Sequence, residues 1–276
     1  MTGLDRIVEN ALQEDIHTGD ITTLAVVPEP RPARARLIAK EPMVLAGIDV
    51  AARVFHLLDS AVNFSPAFRD GDRLQSGDVL AEVEGDAAIL LQGERVALNL
   101  LQRMSGVATL TARYVAAVEG TRARVVDTRK TTPGLRMLDK YAVRVGGGVN
   151  HRTGLYDGVL IKENHIAAAG GISEAVRRAR AYIPHTMKIE VETESLAQVG
   201  EALAAQADII MLDNMELDSM AEAVRLIAGR ALVEASGGVN LETIRAIAGT
   251  GVDIISIGAL THSARAMDIS MLLEGA

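Results

Sequence analysis

The sequence predicts an α/β protein in which an incomplete (β/α) barrel follows a smaller N-terminal α+β sandwich domain. Beyond residue 124, short β-branched runs alternate with helical segments. The last four runs begin at residues 187, 208, 231 and 253, which are 21, 23 and 22 residues apart. Short strands that alternate with longer helices are typical of βα units around a parallel sheet. Aromatic residues make up only 3% of the chain, which disfavours an all-β sandwich.

The N-terminal region shows a different, mixed pattern. Apolar residues between Leu4 and Leu12 recur at helical spacing and predict an amphipathic opening helix. Strands are expected at 33–39, 43–46 and 79–83, and a helix at 49–58. A long helix is expected over 87–119, with a break near Gly106. We place the domain boundary after Ser105, so that residues 1–105 form the sandwich and residues 106–276 form the barrel.

The ends of the six predicted barrel strands decide between a barrel and an open sheet. Each strand is followed by a charged residue or a glycine turn. In a barrel all these ends converge on one rim, whereas an open sheet would gather only two or three of them. Six strands instead of eight predict an incomplete barrel. The strands are expected at 124–126, 158–161, 187–191, 208–212, 231–234 and 253–257, with helices at 173–182, 195–205, 217–228 and 241–248.

Composition excludes several classes of function. The chain of 276 residues contains no cysteine, which rules out disulfides, a thiolate nucleophile and cysteine-ligated metals. Its net charge of −8 argues against a nucleic-acid partner. Residues 122–162 nevertheless carry nine Lys or Arg and three acids, a local charge of +6 on an otherwise acidic chain. A charged N-terminus and the lack of long apolar stretches predict a cytoplasmic protein without a membrane partner.

Basic residues form the densest cluster of candidate site residues. Arg129 and Lys130 follow one predicted strand, Lys162 ends another, and Arg152 lies between them in the chain. Guanidinium groups match carboxylates and phosphates with two parallel hydrogen bonds, so this cluster suits an anionic ligand. The alternative is a solvated basic face. His151, next to Arg152, is expected to donate to a substrate oxygen.

Glycines near these strands suggest turns, some of which suit phosphate. Pro133-Gly134 is expected to open a helix. Gly146–Gly148 suits a helix C-cap better than a phosphate cradle. The Ser236-Gly237-Gly238 turn is expected to precede a helix N-terminus and, with Gly258 after the next strand, to bind phosphate.

Acidic residues on two neighbouring strands point to a cation or a sugar. Glu190 and Glu192 alternate with apolar residues and therefore face the same side of their strand, and Asp213 ends the next strand. Carboxylates beside a phosphate site suit Mg²⁺ or, alternatively, sugar hydroxyls. Glu190 is expected to form an ion pair with a barrel lysine.

Longer motifs contain these residues and allow a comparison with a known family. The segment 127–136, together with 140–143, 146–148, 150–155 and 160–162, closely resembles the quinolinate phosphoribosyltransferases, also called nicotinate-nucleotide pyrophosphorylases (carboxylating). Further matches occur at 19–23, 94–106, 189–192, 211–214 and 234–238. Asp139 and Glu163 depart from the family pattern, each by one methylene group. The resemblance covers nearly the whole chain.

The resemblance implies a reaction and an assembly. The reaction transfers a phosphoribosyl group from phosphoribosyl pyrophosphate to quinolinate and releases pyrophosphate and CO₂, which gives nicotinate mononucleotide for de novo NAD biosynthesis. Mg²⁺ is the implied cofactor. The implied homodimer shares its active sites, because each N-terminal domain caps the barrel of the other subunit. Whether dimers assemble further is open.

The resemblance also implies roles for individual residues. Arg129, His151, Arg152 and Lys162 would hold the quinolinate carboxylates, and Arg103 would reach in from the partner subunit. Lys162, Glu192 and Asp213 would be catalytic, and the two acids would face the ribose and Mg²⁺. The remaining substrate-binding residues would be Thr128, Lys130, Ser236, Gly237, Gly238, Gly258 and Ala259.

Three alternatives stay open at this point. One is the molybdenum-transport-associated paralogue, which would use a different phosphoribosyl acceptor. Another is a Schiff-base aldolase, in which Lys162 would need an apolar pocket. The third is a sugar-phosphate sensor, which would bind phosphoribosyl pyrophosphate without releasing CO₂.

Overall fold

A computed structural model describes residues 3–274, which form two compact units that interleave along the chain. The first unit contains the described residues up to Ala112, Thr132–Gly147 and those from Ser263 onward. The second contains Arg113–Thr131 and Gly148–His262. The boundary after Ser105 stays a prediction.

The elements are as follows. The helices are α1 (Leu4–Ile16), α2 (Ile21–Val26), α3 (Ile48–Leu58), α4 (Ala87–Ala117), α5 (Arg136–Val145), α6 (Glu163–Ala169), α7 (Ile172–Tyr182), α8 (Leu196–Ala204), α9 (Leu217–Ile227), α10 (Ile244–Gly249) and α11 (Ala259–His262). The strands are β1 (Pro32–Ala39), β2 (Met43–Val44), β3 (Asn63–Pro66), β4 (Arg73–Leu74), β5 (Val79–Asp86), β6 (Arg124–Val126), β7 (Val159–Ile161), β8 (Ile189–Thr193), β9 (Ile209–Asp213), β10 (Leu232–Ser236), β11 (Ile254–Ser256) and β12 (Ile269–Glu274).

The first unit is built on a four-stranded sheet with the order β12-β1-β5-β3, whose strands pair antiparallel. Along β1, the side chains of Ala35, Leu37 and Ala39 are fully buried, and the residues between them are not. This period of two is the pattern of a strand with one face in the core. The sequence pattern predicted β1, β2 and β5 but missed β3, β4 and β12.

The long helix α4 is continuous, so the predicted break near Gly106 is wrong. A Cβ atom at Gly106 would lie 2.0 Å from the carbonyl oxygen of Arg265 and 3.4 Å from the Cα atom of Ala266. Another backbone segment therefore packs directly against the helix at this residue. The lack of a side chain, and not a need for flexibility, explains the glycine.

The second unit contains a six-stranded parallel sheet with the order β6-β11-β10-β9-β8-β7, which places β6 and β7 at its two edges. All six predicted strands are present, with ends that shift by one or two residues. Buried β-branched and aliphatic side chains dominate these strands, as expected for a parallel sheet that is covered on both faces. The predicted fold, an incomplete barrel with a smaller N-terminal domain, is confirmed.

Two side chains show that the parallel sheet is curled. The register places Glu190 of β8 and Leu232 of β10 opposite the same residue of β9, Ile209, and Glu234 lies two residues further along β10. In a flat sheet, strands two apart are separated by roughly 9–10 Å. Ligand atoms of Glu190 and Glu234 nevertheless lie within 4.8 Å of each other. Tilted strands that curl as in a barrel bring alternate strands into one inward layer and so account for this proximity.

Three predicted turns can be compared with the structure. Helix α5 begins at Arg136, after Pro133 and Gly134, so the expectation that this pair opens the helix is wrong. Gly146 forms the C-cap of α5, as the sequence favoured. Helix α10 begins only at Ile244, so the Ser236–Gly238 turn does not lead directly into a helix N-terminus.

Within residues 3–274, none of the helices combines the length and the apolar character that crossing a membrane requires.

Replacing Gly106 by alanine is expected to destabilise the protein, because the new methyl group would overlap the Arg265 carbonyl. Overpacking of this kind costs about 1–3 kcal/mol. Gly200 in α8 is the matched control, since nothing lies within 4 Å of a Cβ atom there and its φ is not positive. Gly200→Ala should leave stability unchanged or raise it by up to about 1 kcal/mol. Thermal unfolding measures both variants, and equal midpoints would contradict the packing argument.

Candidate active site

A cavity of about 510 Å³ lies at the carboxyl end of the parallel sheet. Residues at or just beyond the ends of all six strands line it, as the barrel rim predicts. Cationic side chains line it just after β6 and β7, and acidic side chains line it at the ends of β8 and β9. The predicted site residues in its lining are Thr128, Arg129, Lys130, His151, Arg152, Lys162, Glu192, Asp213, Ser236, Gly237 and Gly238.

Hydrogen bonds hold the backbone of Lys130 at the end of β6. The Thr128 hydroxyl oxygen accepts from the Lys130 N–H at 3.0 Å, and the Thr261 hydroxyl donates to the Lys130 carbonyl at 2.9 Å. A Cβ atom at Gly258 would lie 3.0 Å from the Cδ atom of Lys130. Gly258 therefore lies against the stem of this lysine, while Gly258 and Ala259 themselves are outside the cavity lining.

Arg152 is half-buried, and its guanidinium Nη1 donates to the carbonyl of Gly158 at 3.0 Å. Burial and, next, the positive charge of Arg129 lower the pKa of Arg152 from its ordinary value. An arginine keeps its proton despite such a shift, because its ordinary pKa is above 12. The two guanidinium groups consequently repel each other, and an anion between them would relieve the repulsion.

Lys162 at the end of β7 forms an ion pair with Glu192 of β8. The lysine side chain is 46% exposed and that of Glu192 is 12% exposed. A Schiff-base lysine needs a desolvated, apolar environment. The carboxylate partner and the exposure of Lys162 therefore disfavour the aldolase alternative.

The Ser236–Gly238 turn packs against the end of β9. The Asn214 backbone N–H donates to the Ser236 carbonyl at 2.9 Å, and the Asn214 side-chain amide donates to Asp213 at 2.8 Å. A Cβ atom at Gly237 would lie 2.2 Å from Asn214 Oδ1, and its φ of 92° is in the left-handed region. Glycine is thus required at 237, and the turn holds Asp213 beside it.

In the cavity lining, His151 contacts two buried acids, one of which, Glu234, also lines the cavity. Its Nε2 atom lies 2.9 Å from Glu190 Oε2 and 3.8 Å from Glu234 Oε1, and the two glutamates are 4% and 1% exposed. The expectation that Glu190 pairs with a lysine is wrong, since its partner is this histidine. Sequence reasoning missed Glu234, although it interrupts a run of apolar residues on β10 as Glu190 does on β8.

A third buried acid holds the loop that carries His151 and Arg152. Asp127, which follows β6, is fully buried and accepts from the His151 backbone N–H and from the Asn150 side-chain amide, both at 2.8 Å. From the sequence, Asp127 is only the first residue of a motif, and no role is predicted for it. Its burial now explains how the loop keeps its shape, since a buried carboxylate favours the conformation that supplies its donors.

Comparisons with known proteins identify the family. The family model for "Quinolinate phosphoribosyl transferase, C-terminal domain" matches residues 107–272, and the corresponding N-terminal-domain model matches residues 20–105. This chain belongs to the quinolinate phosphoribosyltransferase family.

Relatives in the family extend over nearly the full chain. A probable nicotinate-nucleotide pyrophosphorylase (carboxylating) of Bacillus subtilis is 48% identical over 97% of this chain and 92% of its own length. Quinolinate phosphoribosyltransferase (decarboxylating) 1b of Nicotiana tabacum is 43% identical over 98% and 82%. The crystal structure of NadC from Streptococcus pyogenes superposes with a TM-score of 0.95 at 49% identity, over 99% of this chain and 98% of that one.

Arg103, a predicted site residue, lies in the first unit. Its Nε and Nη2 atoms donate to the two carboxylate oxygens of Asp139, both at 2.9 Å, and Asp139 is 1% exposed. Asp139 also accepts from the Thr132 N–H at 3.2 Å. The role predicted for Arg103 involves a second subunit and stays a prediction.

Stability is expected to fall as pH rises from about 5 to 8 because of Glu234. Burial and, next, the negative charge of Glu190 raise the pKa of Glu234 from 4.5 to about 8. Unfolding in this pH range therefore releases a proton, so the stabilisation present below pH 4.5 is lost as pH approaches the folded pKa. The free energy of unfolding should drop by up to about 1.4 kcal/mol per pH unit from this group.

Thermal unfolding midpoints between pH 5 and 8 test this expectation. Glu234→Gln should flatten the decline, because it removes the titrating group and keeps the shape of the side chain. The exposed residue Glu222 provides a control, and Glu222→Gln should keep the wild-type slope. A Glu234→Gln variant with the wild-type slope would show that Glu234 does not cause the decline.

Proposed function

We propose that this protein transfers the phosphoribosyl group of phosphoribosyl pyrophosphate to quinolinate, with loss of CO₂, and so makes nicotinate mononucleotide for NAD biosynthesis. The observation that carries the proposal is one cavity whose lining combines four cationic side chains with three carboxyl groups. Both substrates are polyanions, whereas the developing ribosyl cation needs negative charge. The cations are Arg129, Lys130, Arg152 and Lys162. The carboxyl groups are Glu192, Asp213 and the buried Glu234, whose pKa burial raises to about 8.

Quinolinate would bind through its two adjacent carboxylates. Arg129 and Arg152 supply guanidinium groups, and these bind planar carboxylates with paired hydrogen bonds. Lys162 lines the same cavity and would complete the set. His151, also in the lining, would contribute by holding Arg152, because both of its ring nitrogens already have protein partners. A substrate with two carboxylates relieves the repulsion between the guanidinium groups better than one with a single carboxylate, which supports quinolinate over nicotinate.

The phosphates of phosphoribosyl pyrophosphate would bind at the other side of the cavity. Lys130 offers a point charge, and the turn of Ser236, Gly237 and Gly238 offers backbone N–H groups and a hydroxyl. Gly258 and Ala259 would contribute from the next loop, where Gly258 lies against the stem of Lys130.

The reaction needs positioning more than acid–base chemistry. The pyridine nitrogen of quinolinate forms a bond to ribose C1 while the C1–O bond breaks, and the electron pair leaves with pyrophosphate. Glu192 and Asp213 would stabilise the positive charge that develops on the ribose. The bond between C2 and its carboxylate then breaks, the quaternised nitrogen stabilises the electron pair on C2, and a proton replaces the departing CO₂. Lys162, paired with Glu192, would link the two halves of the site.

Mg²⁺ is the cofactor we propose, and the donor set fits it. Glu192 and Asp213 both line the cavity and offer the hard oxygen ligands that Mg²⁺ shares with substrate phosphates. When bound, the ion would neutralise charge on the pyrophosphate leaving group. The chain's own contribution is to hold both carboxylates in place, Glu192 by Lys162 and Asp213 by Asn214.

A direct assay tests the proposal. Incubation with quinolinate, phosphoribosyl pyrophosphate and Mg²⁺ should yield nicotinate mononucleotide and CO₂. Loss of one charged hydrogen bond costs about 1.5–3 kcal/mol, so Arg152→Lys should raise KM for quinolinate by about 10–100-fold. Arg225→Lys, on the exposed side of α9, is the control and should behave as wild type. Equal activity with nicotinate, or binding without release of CO₂, would refute the proposal and favour the paralogue or the sensor respectively.

We also propose that two copies share each active site, with Arg103 contributed by the partner subunit. Arg103→Ala and Arg152→Ala should each be inactive, and equal mixing after subunit exchange should restore about one quarter of wild-type activity, because mixed dimers regain one intact site. A mixture of Arg129→Ala with Arg152→Ala is the control and should stay inactive, since both residues belong to one cavity. Thermal unfolding would confirm that each variant is folded. No recovery in the first mixture would contradict a shared site.

A further inference from the structure

The contacts of His151 connect two strands of the parallel sheet to a loop of the cavity. Glu234 of β10 lies 3.8 Å from His151 Nε2, and Glu190 of β8 lies 2.9 Å from the same atom. On the other side of the ring, the Arg152 backbone N–H donates to His151 Nδ1 at 2.8 Å. One imidazole ring therefore links two buried acids to the backbone of a cavity arginine.

These hydrogen bonds determine which ring nitrogen carries the proton. Nδ1 accepts from the Arg152 N–H, so its lone pair is occupied and it has no proton. Nε2 must then carry the proton and donate to Glu190. Both nitrogens have partners, and the ring cannot flip without breaking two hydrogen bonds.

A metal ion is the competing explanation for this cluster. His151, Glu190 and Glu234 offer ligand atoms within 4.8 Å of one another, and one oxygen of each glutamate is buried without a hydrogen-bond partner among the described residues. A histidine binds a metal through an unprotonated nitrogen. The nitrogen that faces the acids is Nε2, which carries the proton, so the geometry favours a hydrogen-bonded cluster over a metal site.

We propose that Glu190 and Glu234 are positioning residues, which fix the orientation and tautomer of His151 and, through its Nδ1 atom, the backbone of Arg152. This inference rests on the proposed function, because Arg152, which His151 holds, is a residue proposed to bind quinolinate. The two acids thereby tune quinolinate binding and leave the phosphate side of the cavity unaffected. Burying two carboxyl groups side by side destabilises the folded state, which is consistent with a functional role of both groups in the site.

The two acids have different roles, because burial changes the protonation state of one of them. Burial raises the pKa of Glu234, so that this carboxyl is neutral near pH 7 and adds no second negative charge beside Glu190. Glu190 then accepts from His151, and the Glu234 carboxyl lies 3.8 Å from the same nitrogen, Nε2. A histidine whose ring is held by a carboxylate keeps one tautomer, as second-sphere acids do for histidines elsewhere.

Steady-state kinetics with both substrates test the positioning role. Glu190→Leu should raise KM for quinolinate at least 10-fold and leave KM for phosphoribosyl pyrophosphate within 2-fold. Glu190→Gln keeps an oxygen that can accept from Nε2–H and should recover most of the loss. Glu234→Gln, a second variant in case Glu190→Leu does not fold, should raise KM for quinolinate by 2-fold to 5-fold. Equal changes in both KM values would overturn the inference, and Glu222→Gln is the control.

The ¹⁵N NMR signals of His151 provide a readout that does not depend on activity. The wild type should show a protonated Nε2 and an unprotonated Nδ1, and Glu190→Leu should show a mixture of tautomers. An unprotonated Nε2 in the wild type, or stoichiometric Zn²⁺ binding that Glu190→Gln abolishes, would overturn the inference in favour of a metal site. If the wild type makes no nicotinate mononucleotide but shows the expected tautomer, the proposed function fails while the ring positioning stands.

Discussion

Arg129 and Arg152 lie close enough for the charge of one to lower the pKa of the other, and Lys130 and Lys162 line the same cavity. Such a concentration of positive charge is unfavourable without a ligand, and the surrounding structure must hold it in place. Buried acids do much of this: Asp127 and Glu190 hold the loop of His151 and Arg152 from below. The cavity is thus lined by cations, and buried acids hold the loop that carries one of them. The segment 122–162 has a local charge of +6 in a chain whose net charge is −8.

Because the parallel sheet is curled, the sequence alone predicts which residues line the cavity. Parallel strands end at one rim, so a residue at a strand end can be assigned to the site without knowing any contact. Arg129, Lys162, Glu192 and Asp213 follow this rule, and all of them line the cavity. The strand pattern predicted the barrel for the same reason, because the repeat length reflects a local alternation that tertiary contacts do not override.

Contacts between distant segments explain what the sequence did not predict. The partner of Glu190 is a histidine from another loop, and Glu234 joins it only because the sheet curls. Gly106 suggested a break in α4, since a glycine in a helix carries no sign of what packs against it. In each case the residue type is visible in the sequence, but the residue that contacts it in the folded protein is not.

The pairing of β1 with β12 has a consequence for how the chain acquires its structure during synthesis. Arg34 lies opposite Glu274, so the first strand of the antiparallel sheet forms hydrogen bonds with residues that are synthesised only after the whole second unit. Until then one edge of β1 is unpaired, and exposed strand edges invite association with other chains. The first unit therefore begins to fold before the second unit is synthesised and closes its sheet only afterwards, and a chain that lacks β12 should depend on chaperones more than one that contains it.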